Sequence, residues 1–294
     1  MTTTANILSK KAVLASLNIS RWTARALDQR VTDEVHKKHG TTSEAGRYWK
    51  RLIDKSALTD IGSAATEARN YHYHHSLPWL DTGARVLPSD LYLDYAKEMQ
   101  RLRNAFNTAA DEFAAAYPEY IKKAKRDLNG MFDADDYPKA SEVRALFAFD
   151  FHILPCPDLG KDFRIAVGNE FVDDIRRDLE KKMGGVMEAG LAECAERITK
   201  TVGHMAEKLR AYKKPDDDKA EGTFRDSLVE NVRELAGLLP SFNLFGDSKF
   251  TAVIERINEK LCAIDAGDLR DDEKARLAVA KAAESIVRDV SAYI

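Results

Sequence analysis

Residues 90–117, "DLYLDYAKEMQRLRNAFNTAADEFAAAY", decide the fold class. Leu91, Tyr95, Met99, Leu102, Phe106 and Phe113 recur at steps near three or four, which lays one apolar stripe along a long helix started by Ser89 or Asp90. Pro118 is expected to end or kink that helix, because it lacks an N–H and crowds the preceding turn. "PEYIKKAKRDLNG" (118–130) then reads as a second helical piece with Gly130 as its C-terminal cap.

The same period governs the C-terminal side. From Asn169 to about Tyr212 the stripe is Phe171, Ile175, Leu179, Met183, Val186, Cys194, Ile198, Met205 and Leu209. As one helix this would reach roughly 60 Å at about 1.5 Å per residue, with Gly184-Gly185 expected to weaken or bend it. "KKPDDDKAEG" (213–222) reads as an exposed linker. Helices over 224–239, 250–264 and 271–293 follow, with Thr223, Ser248 and Asp268 as candidate caps.

On the N-terminal side, Val13, Ala15, Leu17 and Ile19 alternate as a short strand. Helices are expected from Ser20 to Gly40 and from Ser43 to about His75, with a break near Ser56. The period returns to two at Phe147, Phe149, Phe151 and Ile153, and Phe163, Ile165 and Val167 read as a return strand. The early strand can join this hairpin, which would be marginal alone. The expected fold is mainly α: long amphipathic helices with a small antiparallel β-sheet or hairpin, an α+β chain dominated by helix. The expected division is a helix-rich domain over 1–212 with an inserted hairpin at about 147–167, then the linker, then a helical region over 223–294.

Charge is unevenly spread. Residues 1–130 hold 20 Lys+Arg against 15 Asp+Glu, and the remainder 25 against 33, for a net charge of -3. Five of the seven histidines also fall in the first portion. That bias favours an anionic partner for the N-terminal part, or contact between opposite parts of neighbouring subunits. It falls short of the strongly basic profile of a dedicated DNA binder. The longest apolar runs are too short for a membrane span, so no membrane partner is expected. "MTTTANILSKKAVLASL" does not read as a signal peptide, and three scattered cysteines read as reduced thiols of a cytoplasmic protein.

Several chemical readings can be weighed. Asp81-Thr82-Gly83-Ala84 spells the aspartic-protease tetrapeptide, but such a site needs two aspartates on loops of all-β lobes. A helix precedes this copy and another follows, so a tight turn between helices, stiffened by Pro78 and Pro88, is expected. His72 and His75 lie one helical turn apart, yet no further ligand set accompanies them, and neither metal nor cofactor is expected. Phosphate-binding loops and nucleophile elbows are absent from the sequence. Tyr71, His72, Tyr73, His75, Trp79, Asp81 and Arg85 form a candidate binding loop, in which aromatic rings stack exposed bases and Arg85 reads a phosphate. Lys122, Lys123, Lys125 and Arg126 are a candidate basic patch extending it.

"LNISRWTARALDQRV" (17–31), "AGRYWKRLI" (45–53), "ARNYHYHHSLPWLDTGARVLP" (68–88) and "ALFAFDFHILPCPDLGKDFRIAVG" (145–168) together resemble a family of uncharacterised bacteriophage and prophage proteins. The resemblance covers roughly residues 13–212 and implies a phage-associated cytoplasmic protein, with no catalytic residue to transfer. Long helices, mixed charge and the lack of a coherent catalytic constellation favour a non-enzymatic helical assembly or protein-interaction role, with a protein partner or self-association. The alternative is a single-stranded nucleic-acid-binding or recombination accessory protein.

Overall fold

The stripe from Tyr95 to Phe113 is buried along one unbroken helix in the computed structural model, which describes residues 4–80, 83–157, 170–213 and 225–294, while Leu91 precedes that helix and is partly buried. In chain order the first elements are α1 (Thr4–Lys11), β1 (Ala12–Ser20), β2 (Arg25–Leu27), α2 (Gln29–His39) and β3 (Trp49–Arg51). Next come α3 (Thr59–His74), β4 (Leu77–Pro78), β5 (Ala84–Pro88), α4 (Tyr92–Leu128) and β6 (Ala148–Pro155). They are followed by α5 (Glu170–Ala211), α6 (Ser227–Phe242), α7 (Ser248–Ile257), α8 (Ala266–Asp271) and α9 (Glu273–Val290). A four-stranded sheet has the order β4-β5-β1-β6, and β2 and β3 form a separate two-stranded ladder. The helix-dominated α+β class is therefore the observed one.

Contacts group the chain into two units, residues 1–16, 75–94 and 153–294 in the first and 17–74 and 95–152 in the second. In the first unit α5 runs 42 residues, and Met183, Val186, Cys194, Ile198, Met205 and Leu209 are buried as its period requires. They share one core with α6, α7 and α9 through residues such as Val232, Leu239, Phe250, Ile257, Ala283 and Ile286. The C-terminal helices thus pack with α5 rather than apart from it. The expected linker from 214 onward, the return strand at 163–167 and the cap at Thr223 lie outside the described residues. The caps near α7 and α9 are Asp247 and Asp272, whose carboxylates accept from Phe250 N and Ala275 N at 2.7 and 3.0 Å.

The 78–88 segment differs from the expected turn between helices. β4 and β5 pair antiparallel, Leu77 opposite Val86 and Pro78 opposite Arg85, and β5 pairs with β1 on its other side. Val86, Leu87 and Pro88 are all buried, so the strand carries no alternation to betray it. Gly83 in the hairpin turn has φ 76°, a conformation glycine adopts without a Cβ clash.

In the second unit α4 is not ended at Pro118. Pro118 lies on the exposed side of the helix, while Phe113, Tyr117 and Ala124 stay buried on both sides of it in sequence. Tyr117 also donates to the Pro138 carbonyl at 3.0 Å. Burial of the stripe outweighs the lost helical bond.

The expected helix from Ser20 is present only from Gln29. Asp28 caps it by accepting from Val31 N at 3.0 Å, and left-handed Gly40 closes it. Before Asp28 the chain is extended, with Arg25 opposite Arg51, Ala26 opposite Lys50 and Leu27 opposite Trp49. Lys50 turns inward, only 6% exposed, and its ammonium lies 2.6 Å from Asp136 and 3.5 Å from Asp28. It also donates to the Met131 carbonyl at 3.0 Å. Burial works against the charged lysine, but the hydrogen bond and charge of Asp136 and the charge of Asp28 prevail and raise its pKa.

Removing one partner of such a cluster leaves buried charge uncompensated. Lys50→Met is expected to cost about 3–5 kcal/mol in urea unfolding at pH 7. The hydrogen bond from Val31 N, with Lys50, lowers the pKa of Asp28 below 3.8. Its stabilisation is present above that pH and lost on acidification through the lower folded value. The Lys50 contribution holds below pH 10.5 and fades as pH rises through its raised value. Unchanged unfolding midpoints for Lys50→Met would contradict this assignment.

Candidate functional site

The residues expected to form a binding loop fall in both units. Tyr71, His72 and Tyr73 belong to the last turns of α3 in the second unit. There His72 is buried, and its Nδ1 shares a 2.6 Å hydrogen bond with the Tyr95 hydroxyl. Tyr71 stacks on Tyr95 with centroids 5.9 Å apart, and Tyr73 meets His72 edge-on at 5.5 Å. His72 is a satisfied core histidine.

His75, Trp79 and Arg85 belong to the first unit, where Trp79 packs against the hydrophobic core. Arg85 donates to both carboxylate oxygens of Glu193 at 2.7 and 2.9 Å and to Ser76 Oγ at 2.9 Å. Arg197 joins the same Glu193 and donates to the Ser76 carbonyl at 2.7 Å, its guanidinium 5.1 Å from the Phe242 ring. These guanidiniums hold structure together. Asp81 lies outside the described residues.

Two of the four cations of the 122–126 patch are paired. Lys122 pairs with Glu119 at 2.6 Å and Lys123 with Asp54 at 3.1 Å. Among the described residues no group of three or more His, Cys, Asp or Glu could hold a metal ion. Burial pushes the Cys156 thiol up to about 11 and the Cys194 thiol up to about 12, which keeps both protonated and unreactive.

A concave site lies within the second unit, a cleft of about 1060 Å³. One wall is the β2–β3 ladder. Because strand residues alternate, the inward turn of Lys50 sends Trp49 and Arg51 to the opposite face, and both line the cleft with Arg25. Arg21 and Trp22, from the bend after β1, form a second edge. The first turns of α3 and the preceding 3₁₀ turn supply Lys55, Thr59, Gly62, Ser63 and Thr66. Trp22 is held by edge-on contacts with Phe113 and Tyr117, centroids 6.3 and 5.8 Å apart. Trp49 is 54% exposed.

The electrostatics of this cleft are one-sided. Arg21, Arg25, Arg51 and Lys55 line it, and none has an ion-pair or side-chain hydrogen-bond partner among the described residues. Glu67 is the one carboxylate on the described lining, and Arg101 occupies it at 2.7 Å. Arg25 faces Arg51 across the ladder, where like charges destabilise the pair. Gly62 leaves room for Arg21: a Cβ there would stand 3.1 Å from the Arg21 guanidinium. One indole held from behind and one exposed, beside cations without partners among the described residues, can bind a flat aromatic anion, with rings taken by the tryptophans and negative charge by the guanidiniums.

None of these lining residues was singled out as a site from sequence. The available signal was the cationic and aromatic content of "SRWTAR" and "RYWKR", which the helical reading of 20–40 and 43–56 spread around helix faces.

Comparison of the chain with family models, curated proteins and solved structures finds no match, so the functional reading rests on geometry. Alkylation at pH 8 is expected to leave Cys156 and Cys194 unmodified until denaturant is added, as mass spectrometry of the native protein would report. Rapid native labelling of either would contradict their burial.

Proposed function

We propose that this chain binds single-stranded nucleic acid in the cleft of its second unit. The observation that carries the reading is the set of four cationic side chains with no ion-pair or side-chain hydrogen-bond partner among the described residues, interleaved with Trp22 and Trp49. Phosphates neutralise such cations and release counterions, while unpaired bases present faces to indoles. A duplex keeps its bases stacked and offers no such faces. An acidic peptide would satisfy the charge but leave the tryptophans unused, and a concave cleft suits a membrane surface poorly. The net positive balance of residues 1–130 agrees with the reading.

The assembly role expected from helix length is not the reading we adopt. The described stripe residues, such as Met99 and Phe106 in α4 and Ile198 and Met205 in α5, are buried inside their own units, which fits long helices that pack within the fold. The phage association implied by the resemblance stays part of the proposal, as the setting in which a recombination accessory protein would act.

Oligothymidylate titrated at low salt is expected to quench tryptophan fluorescence, because two of the three tryptophans line the cleft. Trp49→Ala should weaken binding by about 1–3 kcal/mol. Arg51→Ala should reduce the salt slope by about 0.7 and leave the unfolding midpoint unchanged or higher, since it relieves the like-charge pair. Equal binding of poly-glutamate, or no binding of DNA or RNA single strands, would contradict the proposal.

Gly62→Ala separates stability from binding. Alanine is worth about 0.5–1 kcal/mol over glycine within a helix, and its methyl asks the end of the exposed Arg21 side chain to yield only slightly. Raised stability with retained oligonucleotide binding is expected for Gly62→Ala, whereas Arg21→Ala should weaken binding and reduce its salt slope by about 0.7; unchanged binding of Arg21→Ala would remove Arg21 from the site.

A further inference from the structure

The cleft continues beyond Lys55. Arg51, Ile53 and Lys55 also line a second cavity of about 560 Å³, which reaches Tyr120, Lys123 and Asp127 of α4. Both cavities lie within the second unit, so one ladder edge serves two compartments. A single bound nucleotide would use the cations of the first and leave Lys123 idle. A strand leaving the first cavity past Arg51 and Lys55 enters the second directly.

We infer that the ligand is a strand of several nucleotides that crosses the Arg51–Lys55 edge into the second cavity, where Asp54 holds Lys123 until a phosphate replaces it; this rests on the nucleic-acid reading above. The geometry of Asp54 supports the exchange. Its Oδ1 accepts from the Ser56 backbone N–H and hydroxyl, each at 3.0 Å, which anchors the carboxylate at the start of the 3₁₀ turn. Its Oδ2 takes Lys123 Nζ at 3.1 Å, and both side chains are about half exposed. Water screens such a pair, so the flexible lysine can leave it for a phosphate. Asp54 and Asp127 also make the second compartment less cationic than the first. Short fragments therefore occupy the first cavity, and the second contributes only when the strand is long enough to be delivered there.

Oligothymidylates from about two to about twelve nucleotides, spanning common site sizes for single strands, test this by tryptophan fluorescence at several salt concentrations. Affinity is expected to rise with length and then level off. Lys123→Ala should weaken the longest strand several-fold and reduce its salt slope by about 0.7, with the shortest unaffected. Asp54→Asn keeps a capping oxygen for Ser56 but frees Lys123, so it should tighten the longest strand only. Circular dichroism and unfolding midpoints establish that both variants are folded. Equal affinity at all lengths would overturn the inference and leave a mono- or dinucleotide site in the first cavity. Equal effects of either variant on short and long strands would also overturn it. Absence of binding at every length would overturn the nucleic-acid reading with it.

Discussion

The buried ammonium of Lys50 is the interaction on which the cleft depends. It is fixed between Asp28 and Asp136 and by the Met131 carbonyl. Asp28 also caps α2, so one carboxylate links the helix start to the strand register. The ladder continues past its assigned ends through Leu52 N to the Ala24 carbonyl at 2.8 Å and Asp28 N to the Tyr48 carbonyl at 2.9 Å. A slip of one residue would exchange the two faces of β3. It would bury Trp49 and Arg51 and expel Lys50, leaving two carboxylates without their cation. The ion cluster therefore sets which side chains the cleft receives.

The guanidiniums of the two units differ in their partners. Arg85 and Arg197 share Glu193 and the Ser76 carbonyl in the first unit, and their hydrogen-bonding capacity is spent inside the fold. Arg21, Arg25 and Arg51 in the second unit have no such partner among the described residues. Their mutual repulsion is tolerated because each is exposed to water. A polyanion would remove that repulsion, so binding and relief of internal strain favour the same state. Trp22 fits the same logic: it is held from behind by Phe113 and Tyr117, so little side-chain freedom is lost when a base stacks on it.

Long periodic segments were legible from sequence because one buried face dictates their pattern. Met99, Leu102 and Phe106 in α4, and Cys194, Ile198 and Met205 in α5, are each fully or almost fully buried where the helical period places them. The strand at 13–19 and the strand beginning near Phe147 were legible by alternation, and the sheet order brings them together. Short elements were not legible. Arg25–Leu27 and Trp49–Arg51 are three residues each, too few for a period, and their pairing joins positions far apart in sequence. The site was missed for the same reason. Its cations converge only through that pairing, whereas the conspicuous run at 71–85 is consumed by the Tyr95–His72 bond and the Arg85–Glu193 pair. Of that run His72 is buried in the core, whereas Tyr73 is 55% exposed.

The central claim is the proposal that single strands lie against Trp22 and Trp49 between cations that have no partner among the described residues. Photo-cross-linking of an iodouracil-substituted oligonucleotide, with the modified peptides identified by mass spectrometry, tests it most directly. The account predicts cross-links in peptides containing Trp22 and Trp49, lost on competition with unmodified single strand and at high salt. Cross-links centred on Trp79 or on residues 122–126 alone, or none above background, would contradict it.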